Sequence, residues 1–257
     1  MVIRRIREHV AGHNWFAVGV DLAIVVIGVF LGLQANNWNQ QRLDAAQGRI
    51  YRAMLIDDLT DNRQNLAMRI AYYGEVRAAS LATLGRLERA DGDFGEIFLV
   101  DAYQASQMLP WALKRTTYDQ IMSVGAMANL GSQKVQDQIA NYFVGAEIAG
   151  ANLAPASPYR EIVRRVLPYA VQQRIRTACP EVIRADARGA SHLVLVGNCR
   201  PGLDTALVRQ AAAKLRSTPG IVDDLTRSIV DIDLKLSSLA RVANRAAALQ
   251  RTLEAES

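Results

Sequence analysis

The chain has 257 residues, half of them apolar, with 30 Lys or Arg against 25 Asp or Glu for a formal charge of +5. That supplies a real core and room for one ordinary or one elongated helical domain beside an anchor. The pI near 9.4 comes mostly from scattered arginines, and the absence of a dense basic run with interleaved aromatics argues against a nucleic-acid partner.

Residues 1–14 are too short to fold alone and read as a cytoplasmic tail. His9 and His13 are four apart, a metal-ligand spacing, but two ligands without a third do not make a site. From Trp15 to Leu33 the chain is almost unbroken apolar sequence with one charge, Asp21. Nineteen helical residues span about 28 Å, close to a bilayer's hydrocarbon core, which predicts a transmembrane helix. A cleaved leader is the competitor. Its best cleavage site, Leu33-Gln34-Ala35, places a large residue where a small one is needed, so an uncleaved anchor over 15–38 is favoured. Arg4, Arg5 and Arg7 precede the span and only Arg42 follows closely, which favours a cytoplasmic N-terminus. Trp15 and Trp38 are the expected interface anchors. Asp21, Val25, Gly28, Gly32 and Ala35 share one helical face, where small residues allow close backbone approach and an acid needs a partner. This is the expected helix-packing face, toward other membrane proteins or a second copy. The alternative is that Asp21 simply reaches the interface.

The stretch IVVIGVFLGLQANNWNQQR resembles the N-terminal signature of an uncharacterised bacterial family of single-pass membrane proteins, in which an Ile-Gly hydrophobic segment runs into Leu-Gln-x-Asn-Asn-Trp-Asn. TTYDQIMSVGAMANLGSQKVQDQIANYF, from Thr116 to Phe143, is similar to a second region of that family, and the two patches cover about a fifth of the chain. Asp21 stands where a Glu is usual and Gln40 where an acid often follows Asn; Cys179 to Cys199 matches nothing in the family. The resemblance implies topology and no activity.

Asn39 to Arg89 is helical in pattern and free of proline. Leu43, Ile50, Met54, Leu59, Leu66, Ile70, Tyr73, Leu84 and Leu87 mark one seam on a long helix continuing from the span. Asp57, Asp58 and Asp61, interspersed with Arg52 and Arg63, read as a solvated face. Asp91, Gly92, Asp93 and Gly95 read as a turn. A second helix is expected over 97–114, disturbed at Pro110. Thr117 and Gln120 have capping-box spacing, so a short helix is expected from Tyr118 to near Gly125. Another starts near Ser132 and carries Val135, Ile139, Tyr142 and Phe143 inward. The aromatics Trp111, Tyr118, Tyr142 and Phe143 read as core, with a ligand pocket as the alternative.

A linker near 152–158 precedes a helix starting at Ser157-Pro158 and running toward Cys179, with a kink at Pro168. Cys179 and Cys199 are expected to pair in an oxidising compartment, unpaired buried thiols being the alternative. Between them, Val182 and Ile183 pair with 192–196 as a hairpin inside an insert near 179–200. Leu203 to Arg216 reads as a further helix. The last, 219–254, carries Leu225, Ile229, Ile232, Leu236, Leu239, Ala243 and Ala246 as a heptad seam that continues near Leu253, facing its own bundle or a second copy.

No nucleophile elbow, P-loop, dinucleotide fingerprint or His-Glu-x-x-His occurs. No catalytic residue, metal site or cofactor is therefore expected. The fold class that follows is mainly α, a transmembrane helix continuing into an elongated helical bundle with one small β-hairpin near the cysteines. Residues 39–257 are expected to be periplasmic, held to a bacterial inner membrane. The expected role is a non-catalytic scaffold or accessory subunit; a ligand-sensing bundle and an enzyme are the alternatives. The expected partners are the lipid bilayer, other membrane proteins or a second copy.

Overall fold

A computed structural model of the chain describes residues 15–89, 94–185 and 191–255. The N-terminal tail with His9 and His13, the turn at Asp91 to Asp93 and the loop Asp186 to Gly189 lie outside the described residues. Among those described there are eight α-helices: α1 (Trp15–Leu87), α2 (Glu96–Gln104), α3 (Thr116–Ser123), α4 (Gln133–Leu153), α5 (Pro158–Val166), α6 (Tyr169–Ala178), α7 (Thr205–Arg216) and α8 (Ile221–Ala255). A 3-10 turn, Ala126–Leu130, lies between α3 and α4, and the strands β1 (Val182–Ala185) and β2 (Ser191–Val194) separate α6 from α7. The chain divides into two compact units, Met1–Tyr51 and Arg52–Ser257, and α1 contributes to both.

In the first unit the apolar stretch of α1 is exposed around its whole circumference. Leu22, Ile24, Val25, Val26, Ile27, Val29, Phe30, Leu31 and Leu33 each show more than half their surface. A helix apolar on all sides is stable in lipid or inside a large core. This one is none of it buried and is long and apolar enough to cross a membrane.

In the second unit α1 contributes Leu55, Leu59, Leu66, Tyr72, Tyr73 and Val76, all essentially inaccessible. The expected seam needs correction. Leu43, Ile50 and Met54 are exposed, while Asp58, Asn62 and Arg69 are buried. Polar groups occupy inward positions because they have partners there, described below, and unpaired they would carry the full desolvation cost. One cluster packs α2 (Phe98, Leu99, Ala102) on α5 (Tyr159, Ile162, Val163), α6 (Val171, Ile175) and α7 (Ala211, Leu215). Tyr159, fully buried, donates its hydroxyl to the Ala102 carbonyl and so ties α5 to α2.

The second helix is shorter than expected. It stops at Gln104, and the 105–115 segment runs without regular structure after a turn through Ala105, Ser106 and Gln107. Pro110 holds the residue before it out of helical geometry, and side chains of α1 bond the backbone that a helix would have bonded internally. The capping-box expectation is also corrected. The helix starts at Thr116, its N-cap is Arg115 and no side-chain cap bond is made there. The Asp58 carboxylate accepts from the Thr117 N–H instead.

Ser157 does cap α5, accepting from the Arg160 N–H with Pro158 in the first turn. Pro168 produces a break where a kink was expected: Leu167 is extended, and a separate helix begins at Tyr169. Asp204 caps α7 through the Leu207 N–H. The last helix begins after Gly220, whose φ of 76° suits a residue without Cβ and delays the start beyond 219. Its seam is buried against its own bundle, chiefly α4 and α5. Leu225, Ile229, Ile232, Leu239, Ala246 and Leu253 are buried as expected, joined by Ser228, Ser238, Val242 and Leu249. Leu236 and Ala243 sit only half-buried, Val242 being the inward residue beside Ala243.

The hairpin forms as an antiparallel pair with Val182 opposite Val194 and Ile183 opposite Leu193. Cys179 and Cys199 are joined in a disulfide that closes the loop carrying it.

Candidate functional site

The predicted membrane face is open along its described part. Val25, Gly28, Gly32 and Ala35 are exposed, and a Cβ at Gly28 or Gly32 has nothing within 4 Å. A second helix therefore has room for close backbone approach. Trp38 is 64% exposed with the Arg42 guanidinium 5.3 Å from its ring centre, an amphipathic pair suited to a headgroup zone. The side chains of Trp15 and Asp21 lie outside the described ones.

The most organised polar arrangement is one that sequence reasoning missed. Asp58, Asn62, Arg69 and Tyr73 recur at helical spacing on α1 and hold residues 109–117. Asn62 donates to the Lys114 carbonyl and accepts from the Lys114 N–H, both at 2.7 Å. The Tyr73 hydroxyl lies 3.2 Å from both backbone groups of Leu109. The Arg69 Nε donates to the Asn65 side chain at 2.6 Å, and its guanidinium sits 5.4 Å over Trp111. Lys114 reaches Asp58 at 3.1 Å and Asp61 at 2.9 Å. Burial pushes the Arg69 guanidinium below its ordinary range, and no carboxylate among the described residues pairs with it. The sequence pattern places Asp58 on a solvated face. It is buried instead, and its work is to cap α3 from another helix.

The aromatic group splits. Tyr118 stacks on Phe143 at 4.0 Å and Tyr142 meets Phe143 edge-on at 4.9 Å. Trp111 instead roofs α4 at Gly150, where a Cβ would fall 2.6 Å from the indole. A depression of about 530 Å³ runs between Trp111, Tyr142, Phe143 and the 112–115 backbone. Lys114, Arg115 and Glu147 join the aromatics in its lining.

Two further cavities share Arg160 and Gln107. The larger, about 460 Å³, lies between α5, α8 and the 105–108 turn, with Arg227, Lys235 and Arg241 on its wall and Asp231 as the one acid. Burial lowers the affinity of Lys235 for its proton, and Asp231 partly offsets this. The smaller, about 390 Å³, lies between α2, α5, α6 and the base of the hairpin, with Arg160, Arg164 and Arg176 facing Glu181. The Arg164 guanidinium lies 3.9 Å over the Tyr103 ring and donates to Gln107 at 2.9 Å. Arg160 donates to the Ser106 carbonyl. Burial and the neighbouring Arg164 charge both disfavour the charged form of Arg160. Glu181 is engaged by the Tyr72 hydroxyl at 2.7 Å, and Cys179 with its disulfide forms part of the wall.

Among the described residues no group of three or more His, Cys, Asp or Glu could hold a metal ion. No family model, curated protein or solved structure matches the chain.

Proposed function

We propose that the chain is a single-pass protein of a bacterial inner membrane, with its N-terminus in the cytoplasm and residues 39–257 in the periplasm. There it serves as a non-catalytic scaffold or accessory subunit of a membrane or envelope complex. The observation that carries this reading is the all-round exposure of the apolar stretch from Leu22 to Leu33. Such a surface is tolerated in lipid and not in water. The Cys179–Cys199 disulfide supports an oxidising compartment for the larger unit. Arg4, Arg5 and Arg7 ahead of the span support the orientation. The resemblance around Leu33 to Asn39 implies the same topology.

The partner-facing part follows from what the fold leaves unused. The heptad seam of α8 is consumed inside the bundle, so it is not the docking surface for a second copy. Among the faces left exposed are the Gly28, Gly32 and Ala35 face, Val144 and Ile148 on α4, and Val230 and Leu234 on α8. Each of these apolar pairs is one helical turn apart and presents a short stripe.

The test is expression in a Gram-negative host with a C-terminal alkaline phosphatase fusion, followed by carbonate extraction and chemical crosslinking in mild detergent. The expected result is an active phosphatase, retention in the extracted membrane and stoichiometric crosslinks to another protein or a second copy, weakened in G28L/G32L. Release of the full-length chain into the carbonate supernatant, or an inactive fusion on an intact chain, refutes the topology. A carbonate-resistant protein without crosslinks refutes the scaffold role.

A further inference from the structure

The cavity between α2, α5, α6 and the hairpin base does something the scaffold reading does not require. Arg160 and Arg164 lie one turn apart on α5, and Arg176 reaches the same space from α6. All three line it and among the described residues none is in an ion pair, the Arg176 guanidinium lying 5.9 Å from the Tyr169 ring centre. The nearest acid in the wall, Glu181, already accepts from Tyr72. Glu181 keeps its negative charge while bonded by the neutral phenol, so the lining carries three positive charges against one; an excess of like charge is unfavourable, and more so where water is restricted.

Arg164 is fixed in position. One face of its guanidinium is taken by the Tyr103 ring and one terminal nitrogen by Gln107, while its Nε is buried and meets no acceptor among the described residues. A buried donor left unbonded carries its desolvation cost in full, and an anion's oxygen is the partner that removes that cost. The planar fork of an arginine matches two oxygens of a carboxylate or phosphate. A volume of about 390 Å³ suits a small solute.

We propose that Arg160, Arg164 and Arg176 form a binding site for a small solute carrying carboxylate or phosphate groups, walled on one side by the Cys179–Cys199 disulfide. Arg164 Nε supplies the buried donor, Arg160 the second charge at the floor, and Arg176 closes the site from its exposed side. Because Cys179 lines the cavity, reduction loosens that wall and weakens binding. The site belongs to the second unit alone, so it stands or falls independently of the membrane topology.

The test uses the full chain in a non-ionic detergent, titrated calorimetrically with sodium phosphate and with sodium citrate against sodium chloride of equal ionic strength. Saturable one-to-one binding of either anion is expected. Phosphate alone assigns a tetrahedral group, citrate alone assigns carboxylates, and both support a general oxyanion site. R176Q, an exposed position, is expected to weaken binding about tenfold, equivalent to the loss of one charged hydrogen bond of about 1.4 kcal/mol. R164M is expected to abolish it, and R209Q, exposed on α7, to leave it unchanged. Should R164M fail to fold, R176Q decides. No heat beyond the chloride control, or affinity unaltered in R176Q, overturns the proposal.

Discussion

Replacing Asn62 by Ala removes two hydrogen bonds at once. The Asn62 side chain is only 2% exposed and makes a reciprocal pair with the Lys114 N–H and carbonyl, each bond 2.7 Å long. Each neutral bond contributes about 1 kcal/mol net, and an orphaned backbone group costs more. Lys114 itself is exposed, so water can reach part of what is freed. The expected loss is therefore about 2–3 kcal/mol, nearer the lower bound of full desolvation. For a unit of this size that is a fall of roughly 5–10 °C in melting temperature. The measurement is thermal unfolding in mild detergent followed by tryptophan fluorescence, with hydrogen exchange at the Lys114 amide as a local reporter. D61N is the control. Asp61 pairs with Lys114 at 2.9 Å but is 57% exposed, and surface pairs contribute only about 0–1 kcal/mol. If N62A melts within about a degree of the parent and the Lys114 amide keeps its protection, the claim that this pair holds the 109–117 segment is wrong.

Three further outcomes follow from the same geometry. G150V forces a branched side chain where a Cβ already lies 2.6 Å from the Trp111 ring. It should destabilise by about 1–3 kcal/mol through overpacking, whereas G74A, with nothing within 4 Å, should stabilise by about 0.5–1 kcal/mol as a helix-interior glycine is replaced; urea midpoints compare them. Alkaline pH should weaken the fold through its buried phenols: burial pushes the Tyr142 hydroxyl up to about 12 and raises Tyr72 and Tyr159 as well. Because the native state holds these protons after the unfolded chain releases them near pH 10, the stability is complete below about 10 and falls as pH rises toward 12, by about 1.4 kcal/mol per unit for each such tyrosine. Ultraviolet titration with all eight tyrosines ionising near 10 on an intact fold contradicts this. Finally, C179S/C199S should lose about 3 kcal/mol, the loop entropy of a 20-residue separation, and the untreated native protein should take up no alkylating reagent at either cysteine until it is reduced.

What was legible in the sequence shares one property: its cause lies within a few residues. The span is a matter of length and apolar composition, and the α5 start needs only Ser157, Pro158 and the Arg160 N–H. The hairpin pairs residues on either side of one loop, and the two cysteines flank it. The misread features of α1 and the 105–117 segment depend on partners far along the chain. Asp58 reads as solvent-facing because charged residues usually are, and Asn62 and Arg69 carry no local signal, yet all three stand on the same face of α1 as Leu55, Leu59 and Leu66. Their acceptors and donors lie 40–59 positions away. The 97–114 helix was expected for the complementary reason, since apolar residues continue past Gln104 while nothing local says where the backbone bonds go. The two errors are one error seen from both ends. A proline-bearing segment that cannot bond itself must have its amides and carbonyls met from elsewhere. A row of Asp, Asn, Arg and Tyr on the inward face of a long helix is a row of groups that can meet them. The arginines on α5 escaped the sequence reading in the same way. Nothing between residues 158 and 166 distinguishes Arg160 and Arg164 from the exposed Arg165; only the fold brings Arg176 and the hairpin base against them. Grips and charged cavities in such a chain are therefore to be sought by asking which irregular segment lacks backbone partners and which inward helix positions carry polar groups.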